Sequence, residues 1–159
     1  MQHVKPGDLV AWPRETKTYF FLIGSKSAFF GCQWAVAFHG NVTPSTAFVE
    51  MPRSFFALID FIEPRRANAL VRVASKLPVN ALPSLERMKA WIDYPPGPPQ
   101  WYIYDSGFRI LEKRSELRPG EESFPIASGM GAARACSLID KKWLNANYYQ
   151  GPKGGNFPL

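Results

Sequence analysis

The sequence predicts a single α+β domain, mostly antiparallel β, that opens as an SH3-like or bent-sheet half-barrel and ends in one main helix. Three observations predict it. Short runs of β-forming residues recur along the first two-thirds of the chain, separated by Pro-, Gly- and Asn-containing joints. Aromatic residues make up 14% of the 159 positions and prolines number fifteen, a composition suited to short packed strands with rigid connections. A helical apolar period is clearest near the C-terminus, over residues 131–143. With 46% hydrophobic and 20% charged residues the chain is not a disordered one.

The first strand is residues 9–12, LVAW, entered through a Pro6-Gly7-Asp8 turn in which Asp8 bonds turn amides, and ended by Pro13. Residues 14–17 make a hairpin-like connection to the strand TYFFLIG at 18–24. Residues 28–38, AFFGCQWAVAF, form a further β-rich run with Gly31 as a bulge. A loop follows at 39–46. Residues 55–62, FFALIDFI, fit a buried strand or a short helix, because periodicity does not separate the two in so short a run. Residues 69–74 read as another strand.

Ser84, followed by Glu86 and Arg87, has the look of a helix N-cap, so residues 84–90 are expected to form a helical turn. The segment YPPGPPQ at 94–100 reads as a rigid loop, since its prolines cannot donate to a ladder. Trp101–Tyr104 is a strand, Asp105-Ser106-Gly107 a turn with Gly107 at positive φ, and 108–113 the return strand. Alternation there puts Phe108, Ile110 and Glu112 on one side and Arg109 and Leu111 on the other. The C-terminal helix, residues 131–143, is capped by Ser128 or Gly129, with Ala132, Ala133, Ala135, Cys136, Leu138, Ile139 and Trp143 on its apolar face and Arg134, Lys141 and Lys142 outside. The domain is expected to occupy residues 1–150, with no internal boundary, and residues 151–159 to be a Gly/Pro-rich tail.

The formal charge is +6, unevenly spread. Residues 1–63 balance to zero, residues 64–99 carry an excess of +4, and the remainder contributes +2. Cys32 and Cys136 fall in no metal-ligand spacing and read as buried thiols of a reducing compartment. The first residues lack the apolar segment of a secretory signal, so a cytoplasmic location is the expectation.

Catalytic patterns are weak. His39 and Cys32 are separated by a β-rich run, which keeps them apart unless the chain folds back. Glu121-Glu122 reads as a solvated charge pair, and SGMGAAR at 128–134 as a helix entry. No cofactor and no metal site is expected, and the chain reads as a non-enzyme. Aromatics interleaved with cations in WYIYDSGFRILEKR leave a small basic SH3-like nucleic-acid-binding module as an alternative. A small hydrolase using His39 is a weaker one.

The order of motifs resembles the immunity protein 26 family of bacterial polymorphic-toxin systems. The resemblance rests on VKPGDLVAWP at 4–13, the aromatic strand at 19–24, and ASKLPV at 74–79 followed by Leu82-Pro83. It continues with WYIYDSG at 101–107 and the tryptophan-bearing helix at 131–143. It implies a protein that neutralises a cognate toxin by tight binding and occlusion of the active site. The expected anchors are Trp91, Tyr94, Trp101, Tyr104 and Arg109, with Arg65 and Arg66 as electrostatic guides. A basic inhibitor argues against a strongly basic nuclease as the toxin, and neither a membrane nor nucleic acid is expected as partner.

Overall fold

The computed structural model describes residues 3–27, 31–92 and 97–145. The fold is α+β, with nine strands in two open sheets and three α-helices among the described residues. The described residues gather into two compact units, residues up to 82 with 129–143, and residues 83–128 with 144 and 145. The first unit runs to Leu82 and takes up the chain again at Gly129, with the C-terminal helix.

The first unit is built on a six-stranded sheet. Its strands are β1 (Leu9–Arg14), β2 (Lys17–Lys26), β3 (Gln33–Ala37), β4 (Phe55–Asp60), β5 (Val71–Ala74) and β9 (Gly129–Gly131), ordered β5-β1-β2-β3-β4-β9. All neighbours are antiparallel except β4 and β9. The entry turn forms as expected: Asp8 accepts the Lys5 amide at 2.9 Å and is itself buried. Gly7 is required there, with φ +86° and only 2.7 Å between a Cβ at this position and the Leu77 carbonyl oxygen.

β1 does not stop at Pro13 but runs through it to Arg14. The register explains why this is tolerated. Arg14 pairs with Lys17 across the two-residue turn Glu15-Thr16, so Pro13 faces Thr18 in a non-hydrogen-bonded pair and needs no amide proton toward β2. Glu15 takes the left-handed backbone (φ 52°) that such a short hairpin demands.

Residues 55–60 resolve the ambiguity as a central strand, fully buried to Ile59, and the helical alternative survives only in α2 (Ile62–Arg66) just beyond it. A further short helix, α1 (Ala47–Glu50), lies in the β3–β4 connection. The main helix, α3 (Ala132–Asp140), buries Ala132, Ala135, Cys136, Leu138 and Ile139 of the expected face, leaves Ala133 half-buried and ends before the buried Trp143; its N-cap is Gly131, with no side-chain cap. Residues 129–131 are instead the short strand β9, parallel to β4. Aromatic pairs lock this core: Phe21 meets Phe61 edge-on, and Phe55 meets Trp143 edge-on, each at 5.3 Å.

The second unit holds β6 (Met88–Ile92), β7 (Gln100–Tyr104) and β8 (Ile110–Arg114) in an antiparallel meander. The segment around Ile126 lies parallel to β6, with the Lys89 amide donating to Pro125 O (2.9 Å) and the Ala127 amide to Lys89 O (2.8 Å). The helical turn expected at 84–90 does not form. Ser84 Oγ accepts the Glu86 amide in a local turn, and Met88 already begins β6, because its neighbours bury on the sheet. Among the described residues no helix is long and apolar enough to cross a membrane.

Candidate functional site

The second unit's sheet has two unlike faces. Cross-strand register places Lys89, Trp91, Trp101, Ile103, Glu112 and Arg114 on one, and Met88, Ala90, Tyr102, Tyr104, Ile110 and Lys113 on the other. A bulge at Leu111 makes the difference. Ile103 pairs with Glu112 but Tyr104 with Ile110, so Ile110 and Glu112 face opposite ways rather than together as simple alternation predicts.

The second of these faces is covered over β6, where Met88 and Ala90 are buried, and is an open aromatic surface over β7 and β8. The Tyr102 and Tyr104 rings are half-buried and lie 6.1 Å apart, and Lys113 Nζ sits 4.8 Å from the Tyr102 ring centre. Ile110 and Leu111 are 48% and 47% exposed, unusual for large apolar side chains. The adjoining turn positions an arginine. Asp105 accepts the amides of Gly107 (2.9 Å) and Arg109 (3.0 Å), and its other oxygen accepts Arg109 Nε (2.7 Å). The Arg109 amide, with its guanidinium and the Gly107 amide, holds the Asp105 carboxyl below the usual carboxylate range. Arg109 is therefore tethered although its side chain is 85% exposed. The residue at positive φ in this turn is Phe108, not Gly107. The Asp105 carboxylate caps the turn, which lets a non-glycine residue take that conformation.

The opposite face is polar and buried. Arg114 Nη1 donates to both oxygens of Glu121 (2.9 Å each), its Nη2 meets Glu112, and Glu121 accepts the Arg118 amide at 2.8 Å. Glu121 is thus a buried clamp rather than half of a solvated acid pair, since the guanidinium and an amide replace its water. Lys89 is fully buried, with its Nζ on the carbonyls of Glu122 and Asn145 and 5.8 Å from the Trp101 ring centre. Burial pushes its ammonium down from 10.5 to about 8.

In the first unit, Asp140 at the end of α3 accepts Lys17 Nζ (2.7 Å) and the Tyr19 hydroxyl (2.9 Å). The Lys17 ammonium, with Tyr19, holds Asp140 below the usual carboxylate range, while burial and the Asp140 carboxylate push Tyr19 up to about 12. His39 follows β3, with Nδ1 3.3 Å from Ile139 O and Nε2 buried without a partner. Cys32 lies at the other end of that strand, so the two do not form a nucleophile–base pair. Among the described residues no three His, Cys, Asp or Glu side chains gather as metal ligands.

The residues expected as anchors are divided between the two units. Tyr104 and Arg109 sit together beside β8. Trp101 is 3% exposed and packs edge-on against Trp91 at 5.3 Å, within the core of the second unit. Trp91 is half-buried, with Nε1 enclosed and unpartnered. Tyr94 lies outside the described residues. Arg65 and Arg66 belong to α2 of the first unit; Arg65 Nε is spent on Phe61 O at 3.2 Å, and Arg66 is exposed. The sequence reading missed Tyr102, Ile110 and Lys113, whose signal was available: on a strand, Tyr102 shares a face with Tyr104. No family model, curated protein or solved structure matches this chain.

Proposed function

We propose that this chain is an immunity protein that binds and blocks a bacterial toxin in the cytoplasm of the cell that makes it. The observation that carries the reading is the Tyr102–Tyr104 surface with its tethered Arg109. Aromatic rings and arginines dominate the energetics of tight protein interfaces, and both are held here at little further entropic cost. Ile110 and Leu111 supply the apolar surround that excludes water. The charge excess in residues 64–99, Arg66 included, favours a toxin whose docking surface is acidic or neutral over a strongly basic nuclease.

The motif order read from the sequence points to the same class. Expression of the toxin from the adjacent reading frame should arrest a bacterial host, and this chain should restore growth. A neighbouring product that is harmless, or toxicity that this chain does not relieve, overturns the reading. The pairing of Tyr102 with Lys113 also suits base stacking on a nucleic acid, the second reading. That reading requires affinity for a single-stranded oligonucleotide that falls steeply with salt.

A further inference from the structure

We propose that a groove of the first unit, between the free edge of β2 and the C-terminal end of α3, docks a short, extended, acidic peptide segment of a protein partner. The cavity is about 600 Å³ and is lined by Thr18, Tyr19, His39, Asn41, Asp140 and Lys142 among others. That volume suits a few side chains rather than a whole domain.

The backbone of β2 supplies the docking edge. Ile23 donates its amide to Asp8 O (2.9 Å) and accepts the Gly7 amide (2.8 Å), so the odd-numbered residues of β2 bond toward β1. Even-numbered residues bond toward β3, as the Phe38 amide does with Phe20 O at 3.1 Å. The next even-numbered residue is Thr18. Pairing of β3 with β2 has ended by then, because the chain leaves the sheet at His39 and Gly40. The Thr18 amide and carbonyl therefore face the groove with no strand beside them among the described residues. An extended peptide laid there continues the position of β3 and takes both bonds, which is strand addition at a sheet edge.

The charge of the groove selects an acidic guest. Lys17 and Lys142 are exposed at its walls, with Arg14 and Lys141 nearby, against Glu15 and Asp140. Lys17 and Asp140 are paired and cancel, so the net positive charge of the lining is that of Lys142.

The groove lies wholly in the first unit and the Tyr102–Tyr104 surface in the second, so the inference stands or falls apart from the toxin reading. The test is a titration of the ¹⁵N-labelled full chain with N-acetyl-TVEVT-amide, its lysine counterpart N-acetyl-TVKVT-amide, and a fully N-methylated TVEVT. The acidic peptide should give saturable shifts centred on Thr18, Phe20 and Asn41. It should bind at least about fivefold tighter than the lysine peptide, and the N-methylated one should not bind. Lys142→Glu should weaken the acidic peptide about tenfold. Thr18→Pro should abolish its binding while leaving the β1 pairing intact, since the amide removed points away from β1. Absence of saturable shifts at Thr18, equal binding of the acidic and lysine peptides, or undiminished binding of the N-methylated peptide overturns the proposal.

Discussion

Replacing Lys89 with methionine removes a buried ammonium and leaves a side chain of similar length. In the native protein that ammonium is fully enclosed, on the carbonyls of Glu122 and Asn145, with its pKa lowered from 10.5 to about 8. Below pH 8 both folded and unfolded chains hold the proton, and the folded state bears the full burial cost. Between pH 8 and 10.5 the unfolded chain holds more protons, so stability rises with pH; above 10.5 the cost is gone. The shift corresponds to roughly 3 kcal/mol. Tyr19 acts oppositely. Its pKa is raised to about 12, so the folded state keeps its proton longer and stability falls as pH passes 10. The difference between native protein and Lys89→Met cancels that contribution. Near pH 7 the variant gains relief from the charge but strands two carbonyls, at about 1–3 kcal/mol each, so the two changes largely offset. Urea unfolding from pH 7 to 10.5 should show the native protein gaining roughly 3 kcal/mol relative to the variant. A difference that is flat with pH would mean that the Lys89 amine is hydrated in the folded state, and would refute the reasoning.

Three further outcomes follow from the structure. Gln33 is buried with both ends of its amide unpartnered, so Gln33→Met should stabilise the protein by about 1–3 kcal/mol in chemical denaturation, and a loss of stability would reveal a partner for that amide. Gly7→Ala should destabilise by about 2 kcal/mol or more, measured the same way, because positive φ and the Leu77 carbonyl both oppose a Cβ. The pKa of Asp140 is lowered in the folded state, so its contribution is present above the ordinary carboxylate range and lost as pH falls through the folded value. Asp140→Asn should thus lower the thermal midpoint at pH 6, by an amount that shrinks as the pH is lowered below the ordinary carboxylate range.

The strands were legible where composition and turn chemistry agreed. The hairpin at Glu15-Thr16, the strand at 101–104 and the buried face of α3 all follow from β-formers or a helical period beside clear joints. Errors fell where tertiary context decides. Residues 129–131 have no β propensity, and they pair because β4 offers a free edge. Ser84 looks like a cap, but the following residues bury on a sheet. The bulge at Leu111 leaves no mark in the sequence, yet it turns Ile110 toward Tyr104 and completes the aromatic surface. Around the candidate site, the strand and tight turn that carry Tyr104 and Arg109 were readable in WYIYDSGFR. The burial of Trp101 was not, because alternation shows which residues share a face but not which face is covered.

The most direct measurement of the central claim is calorimetric titration of the toxin from the adjacent reading frame with the native chain, Tyr104→Ala, Arg109→Ala and an exposed control, Val49→Ala. The account predicts tight binding by the native chain and by the control, with affinity reduced at least about tenfold by each of the other two substitutions. Unchanged affinity in both Tyr104→Ala and Arg109→Ala, or no binding by the native chain, would contradict it.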